Sequence, residues 1–116
     1  MLRFSHSAVG VQQGSELLFS AFEDNGPMWT GEGPRVQRCV VTFGDPFRGI
    51  PAVHVGMSMW DIAINGNQRV DLAAEQVTET GFTLVFRTWG DTRVARARAD
   101  WMAIGPADHL DDFEVD

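Results

Sequence analysis

Hydrophobic and polar positions alternate with a period of two along most of the chain, which is typical of half-buried β-strands. In residues 81–89, Phe82, Leu84 and Phe86 fall on one face, and the other face is mixed, with Thr83, Val85, Arg87 and Trp89. β-Branched and aromatic residues, which favour strands, occupy many of the alternating positions. The pattern predicts six strands, at residues 9–22, 36–43, 52–62, 69–78, 81–89 and 93–104.

Short segments with Gly, Asp or Asn separate the last four predicted strands. They are Asn65-Gly66-Asn67, Glu79-Thr80-Gly81 and Gly90-Asp91-Thr92. Such segments commonly join antiparallel neighbours. We therefore expect two hairpins, the third strand with the fourth and the fifth with the sixth, linked into a meander. With no extended helical pattern, the sequence predicts an all-β fold, a six-stranded antiparallel β-sandwich.

Residues 23–34 contain five glycines or prolines and are predicted to form a long loop without regular structure. Long loops on a rigid sandwich commonly carry function. The length of 116 residues is that of one domain. We assign residues 1–106 to this domain and residues 107–116 to an acidic C-terminal tail.

The charge balance argues against nucleic acid as a partner. Nine basic and sixteen acidic residues give a formal net charge of −7, which repels a phosphate backbone. Neither a membrane-spanning run nor the apolar core of a signal peptide is found, so no membrane insertion is expected. The location stays open between the cytoplasm, a particle and non-classical export.

Candidate catalytic and metal-binding residues are sparse. Cys39 alternates with apolar residues, and no Gly-X-Ser-X-Gly motif is present, so no activated nucleophile is indicated. His6, His54 and His109 are far apart and form no metal-binding spacing. The sequence therefore predicts neither an enzyme nor a metal or cofactor site.

Two tryptophans allow different interpretations. Trp101 is in phase with Ala95, Ala97 and Ala99, which predicts a core position. Trp89 ends a predicted strand at a turn, where an aromatic ring is either a binding platform or a lid on the core.

Three strand arginines also allow two interpretations; they are Arg87, Arg96 and Arg98. They form either an anion site or ion pairs with acidic residues on neighbouring strands, for which Asp71, Glu75 and Asp100 are the candidate partners.

A series of short motifs runs in order from residue 41 onward. They are Val41-Thr42-Phe43, Pro51, Asp61, Asn67, Arg69-Val70, Val77-Thr78, Gly81-Phe82, Thr88-Trp89, Thr92 and Ala99-Asp100-Trp101-Met102-Ala103-Ile104, with Val11-Gln12-Gln13-Gly14 upstream. This series resembles the H-type lectin domain, the family of snail agglutinins that bind N-acetylgalactosamine and of the carboxy-terminal domain of discoidins. The resemblance covers about residues 9–105.

The resemblance implies a small β-sandwich that assembles as a homotrimer, with pairing of two trimers into a hexamer left open. It implies a carbohydrate ligand at each interface between subunits, with no metal. The family's binding residues correspond to Glu32, Arg69, Trp89, Gly90 and Asp91 of this sequence.

Three of these positions depart from the family member compared. Glu32 stands in place of Asp, Gly90 in place of His, and Asp91 in place of Asn. The expected function is a lectin for terminal galactose-type or N-acetylgalactosamine-type sugars. The alternative is a structural or host-attachment protein, for instance of a phage-like particle, that keeps the trimer and has lost the sugar site.

Overall fold

The computed structural model describes residues 1–4, 8–21 and 24–108, and these residues form two packed sheets. The strands are β1 (Val9–Ser20), β2 (Arg35–Thr42), β3 (Ala52–Ile62), β4 (Val70–Glu75), β5 (Gly81–Thr88) and β6 (Val94–Pro106); one short helix, α1 (Pro27–Thr30), precedes β2. The predicted all-β fold with six strands is confirmed. No helix in the described part of the chain is long and apolar enough to cross a membrane.

Each sheet has three antiparallel strands. The first sheet has the order β1-β6-β3, and the second sheet has the order β2-β5-β4. The predicted meander is therefore right only for β4 and β5. The hairpins expected for β3 with β4 and for β5 with β6 are wrong, because the two strands of each pair belong to different sheets. A short connection can also cross a sandwich, and crossing lets the apolar faces of both sheets meet in one core.

Three connections between the sheets lie at the same end of the sandwich. We call residues 24–34 the first crossover, residues 63–69 the second and residues 89–93 the third. The strand registers place the beginnings of β2, β4 and β6 at this end, together with the ends of β1, β3 and β5. Three irregular segments are thus gathered at one edge of the fold.

The core forms between large side chains of β5 and small ones of β6. Phe82, Leu84 and Phe86 are nearly or fully buried, and they face an alanine stripe on β6. Trp101 completes the core, with its ring 5.5 Å from that of Phe82. The predicted core position of Trp101 is confirmed, and the stripe, Ala95, Ala97 and Ala99, is buried with it.

Gly14 explains one motif of the first strand. A β-carbon built at this position would lie 2.8 Å from the indole of Trp101, including its Nε1 atom. Only glycine therefore lets β1 pass this closely over the largest core side chain.

The first crossover differs from its prediction, because it contains one helical turn instead of none. Pro27 begins α1, where its missing N–H costs nothing, and the N–H of Gly31 donates to the Pro27 carbonyl at 2.8 Å. Met28 is buried in the core and anchors this turn.

The predicted acidic tail lies mostly outside the described residues, since residues 109–116 are not among them. Its first two residues are held by the fold. The N–H of Ala107 donates to the Ala8 carbonyl at 3.2 Å, and Asp108 forms an ion pair with Arg48.

Candidate functional site

The structure brings the five candidate residues to one end of the sandwich. Glu32 lies on the first crossover, Arg69 on the second, and Trp89, Gly90 and Asp91 on the third. The first and third crossovers are joined directly, because the N–H of Gly33 donates to the Gly90 carbonyl at 3.0 Å. Residues from three distant parts of the chain therefore share one surface.

Asp91 connects the second and third crossovers. Its Oδ1 atom accepts hydrogen bonds from the backbone N–H and the side-chain amide of Asn67, each at 3.3 Å. The same oxygen is 3.3 Å from Nη1 of Arg69. Asp91 thus orients the Arg69 guanidinium, while 57% of the Asp91 side chain and 41% of the Arg69 side chain stay exposed.

Two buried threonines support this arrangement from below. The hydroxyl of Thr88 donates to the Arg69 carbonyl at 2.6 Å. The hydroxyl of Thr92 accepts from the Arg69 N–H at 3.0 Å and donates to the Asn67 carbonyl. Their hydroxyls form hydrogen bonds with backbone N–H and C=O groups of the second crossover, which have no neighbouring strand to pair with. The Thr88 and Thr92 motifs therefore have a structural role next to the site.

Gly90 gives the site its open shape. Its φ angle of +70° lies in the left-handed region, which glycine adopts without strain. A β-carbon at this position would lie 3.3 Å from Nη1 of Arg69. The absence of a side chain therefore leaves the guanidinium of Arg69 accessible beside the turn.

Trp89 lies next to this cluster, with 42% of its surface exposed. This exposure is what the platform prediction for Trp89 requires. The ring borders a hollow of about 230 Å³ between β2 and β5, lined by Pro34, Arg35, Val36, Arg87, Thr88 and Trp89. An exposed indole beside guanidinium groups, here those of Arg35 and Arg87, can bind a polyhydroxylated ligand through both C–H packing and hydrogen bonds.

A larger hollow of about 690 Å³ lies on the first sheet, around Asp100. The Asp100 carboxylate accepts hydrogen bonds from the hydroxyls of Ser15 and Ser58, and these bonds lower the pKa of Asp100, with the larger effect from Ser15. Two ring-bearing side chains border this hollow: His54, whose imidazole is exposed, and Trp101, which is packed into the core. Because its lining includes no exposed Trp, Tyr or Phe ring and no crossover residue, this larger hollow lacks the large apolar ring that the end of the sandwich presents.

The family model for the H-type lectin domain matches residues 39–104. The chain belongs to the H-type lectin domain family. The matched range includes Arg69, Trp89, Gly90 and Asp91, whereas Glu32 lies before it. Members of this family are lectin-like and non-catalytic.

Relatives with curated sequences agree with this family. The chain is 33% identical over 81 residues to a discoidin-1 polypeptide of Dictyostelium discoideum, and the match covers 69% of this chain and 32% of that protein. The chain therefore spans about a third of the length of that discoidin. It is also 56% identical over its full length, and over the full length of the relative, to a protein of Fuscovulum blasticum named ATP synthase subunits region ORF 7.

Solved structures of discoidin II of Dictyostelium discoideum have the same fold. One superimposes with a TM-score of 0.75 at 28% sequence identity, covering 93% of this chain and 41% of that one. A second, of the wild-type protein, gives 0.74 at 29% identity and covers 89% of this chain and 39% of that one. The structural similarity to discoidin II therefore also includes residues before position 39, where the match to the family model begins.

The arginines of the strands have mainly structural partners in this lectin domain. Arg87 lies 3.0 Å from Glu75 and 4.0 Å from Asp71, so the cross-strand pairing expected for Arg87 is confirmed. Arg96 lies 3.4 Å from Asp61, and Nε of Arg98 donates to the Ser58 hydroxyl at 3.1 Å. No group of three or more metal-ligating side chains occurs among residues 1–4, 8–21 and 24–108.

Sequence reasoning did not single out Arg35, the first residue of β2. Its side chain contacts the first and third crossovers, and partial burial lowers its pKa, an effect opposed by Glu32 and reinforced by Arg93. An arginine at the start of an edge strand ordinarily looks like a solvated charge. No signal in the sequence distinguishes it.

The hydrogen bonds of Asp91 predict an unusual pH response. Donation from the Asn67 backbone, followed by the Asn67 amide and the Arg69 charge, holds the pKa of Asp91 below its ordinary value of 3.8. A carboxyl with a lowered folded-state pKa stabilises the fold above its unfolded pKa, and this contribution is lost as pH falls through the folded pKa. The contacts of Asp91 should therefore persist through pH 4 and break only at lower pH.

The chemical shift of the Asn67 amide, followed by NMR as a function of pH, measures the pH at which Asp91 is protonated and its contacts break. In the Asp91→Asn variant, which carries no titrating group at this position, the corresponding acidic transition should be absent. A midpoint at the ordinary value in the unmodified protein would show that Asp91 is not held as described.

Proposed function

We propose that this chain is a non-enzymatic carbohydrate-binding module that recognises terminal galactose-type or N-acetylgalactosamine-type sugars. The observation that carries the proposal is the convergence of three crossovers at one end of the sandwich. Together they present an exposed indole, an oriented guanidinium and carboxylates on one surface. Family membership supports the same interpretation.

The residue types at this surface suit the chemistry of a sugar. Glu32 accepts hydrogen bonds from sugar hydroxyls, and Arg69 donates to a hydroxyl or to the ring oxygen. Charged partners make these bonds stronger than neutral ones. Trp89 packs against the C–H face of the ring, while Gly90 leaves space beside it. Asp91 orients Arg69 and supplies a further acceptor.

We further propose that the protein acts as a homotrimer with a sugar site at each interface between subunits. A single shallow site binds a monosaccharide weakly. Linking three sites raises avidity by about 10² to 10⁴ when the geometry allows simultaneous binding. Oligomerisation therefore gives a weak lectin a useful affinity for clustered glycans.

The test is a glycan-array screen of the purified protein, with light scattering on the same sample. We expect binding to galactose-type glycans by a trimer, with competition by free N-acetylgalactosamine and none by free glucose. A trimer that binds nothing on the array would contradict the lectin proposal. That result would favour the alternative, a structural or host-attachment protein that keeps the assembly without the sugar site.

A further inference from the structure

Arg35 makes an unusual set of hydrogen bonds for a partly exposed side chain. Its Nε donates to the Gly33 carbonyl at 2.9 Å, and its Nη2 donates to the Gly90 carbonyl at 3.2 Å. Its Nη1 contacts the carbonyls of Pro27 and Met28 at 3.4 Å and 3.3 Å. One guanidinium thus contacts four backbone carbonyls.

These carbonyls belong to two of the three crossovers that form the candidate site. Three of the four come from the first crossover, on both sides of Glu32 in the chain. The fourth is Gly90 on the third crossover, which also accepts the N–H of Gly33. The Arg35 side chain and the Gly33 amide therefore hold the same carbonyl from two directions.

A guanidinium is suited to this geometry in a way that a lysine is not. It has five N–H donors in a planar fork, and it reaches several acceptors at once from a fixed orientation. Hydrogen bonds from a charged donor are about twice as strong as neutral ones. Lysine keeps the charge and loses the fork, so Arg35→Lys separates geometry from charge.

We propose that Arg35 is a positioning residue that fixes the Glu32 segment against the turn of Trp89, Gly90 and Asp91 before any ligand binds. Its effect on sugar affinity rests on the proposed function, whereas its effect on the free protein does not. Pre-ordering the loop removes an entropic cost that binding would otherwise incur. Arg35 itself need not touch the sugar.

The first measurement uses the ligand-free protein. Hydrogen exchange of the Gly33 amide, read by NMR, should become about 10-fold faster or more in Arg35→Lys, because the bond to Gly90 opens more often. The matched control is Arg38→Lys, on the same strand and exposed, which should leave this exchange unchanged. Unchanged exchange in Arg35→Lys would overturn the proposal, whether or not the protein binds sugar.

The second measurement is a double-mutant cycle with N-acetylgalactosamine as the probe. Arg35→Lys should lower affinity about 10-fold in a protein that stays fully folded at the temperature of the titration, while in a Glu32→Gln background it should add little further loss. This non-additivity is expected because Arg35 acts through the Glu32 segment. Additive losses, or unchanged affinity, would overturn the positioning role. Failure of the unmodified protein to bind any glycan would instead refute the proposed function, with the exchange result still standing.

Discussion

Replacing Trp89 with alanine is expected to lower the affinity for N-acetylgalactosamine by about 30-fold or more. Truncating a large aromatic side chain at the centre of a binding surface commonly costs about 2 kcal/mol or more. Trp89 is 42% exposed and directly precedes Gly90 and Asp91 on the third crossover, so its loss would remove the apolar platform of the proposed site. Titration calorimetry with the free sugar, or the glycan-array signal, measures the change.

The matched control is Trp60→Ala. Trp60 is 58% exposed but lies in β3 of the first sheet, outside the five candidate residues. It should leave sugar affinity unchanged, and neither variant should alter the oligomeric state in light scattering. Retained binding by Trp89→Ala would remove Trp89 from the site.

Replacing Phe86 with alanine is expected to destabilise the fold by about 3 to 5 kcal/mol, because it removes a core aromatic ring and leaves a cavity. Phe86 is fully buried in β5, and its ring packs edge-on against Phe19 at 5.3 Å, across the two sheets. For a domain of this size the melting temperature should fall by about 10 to 20 °C.

Thermal and urea unfolding measure this effect. Val40→Ala provides the control, since Val40 is an apolar strand residue with 76% exposure, and its truncation should change stability by about 0.5 kcal/mol or less. A loss of less than about 1 kcal/mol in Phe86→Ala would show that β5 does not face the core as described.

Arg35 and Asp91 have the same structural role at this site, because each links two crossovers through several hydrogen bonds. Two of the three crossovers are joined to the third by groups that accept or donate several hydrogen bonds at once. Asp91 joins the second crossover to the third, and Arg35 joins the first to the third. If the proposal for Arg35 is right, the surface that presents Trp89 is ordered before a ligand binds, which reduces the entropic cost of the proposed sugar binding.

The strands of this protein could be predicted from the sequence, whereas their partners could not. Alternation reports the burial of each strand locally, so the positions of β5 and β6 followed from the pattern of Phe, Leu and Ala residues. Whether the short connection between them reversed within a sheet or crossed to the other sheet depended on contacts far away in the chain. The expected hairpin was wrong for that reason.

For the candidate site, too, the sequence predicted the residues but not how the fold brings them together. Arg69, Trp89 and Asp91 could be singled out because their residue types and order resemble a known family. Their meeting with Glu32 on one surface required three crossovers at one end, which is a property of the topology.

The sequence by itself determined the class of the fold, the core face of β5 and the residue types available for sugar binding. Tertiary structure alone decided which strands pair, and it alone revealed Arg35. The physical reason is that the acceptors of Arg35 are backbone carbonyls, which every residue carries and no sequence pattern marks. Only folding brings four of them within reach of one guanidinium.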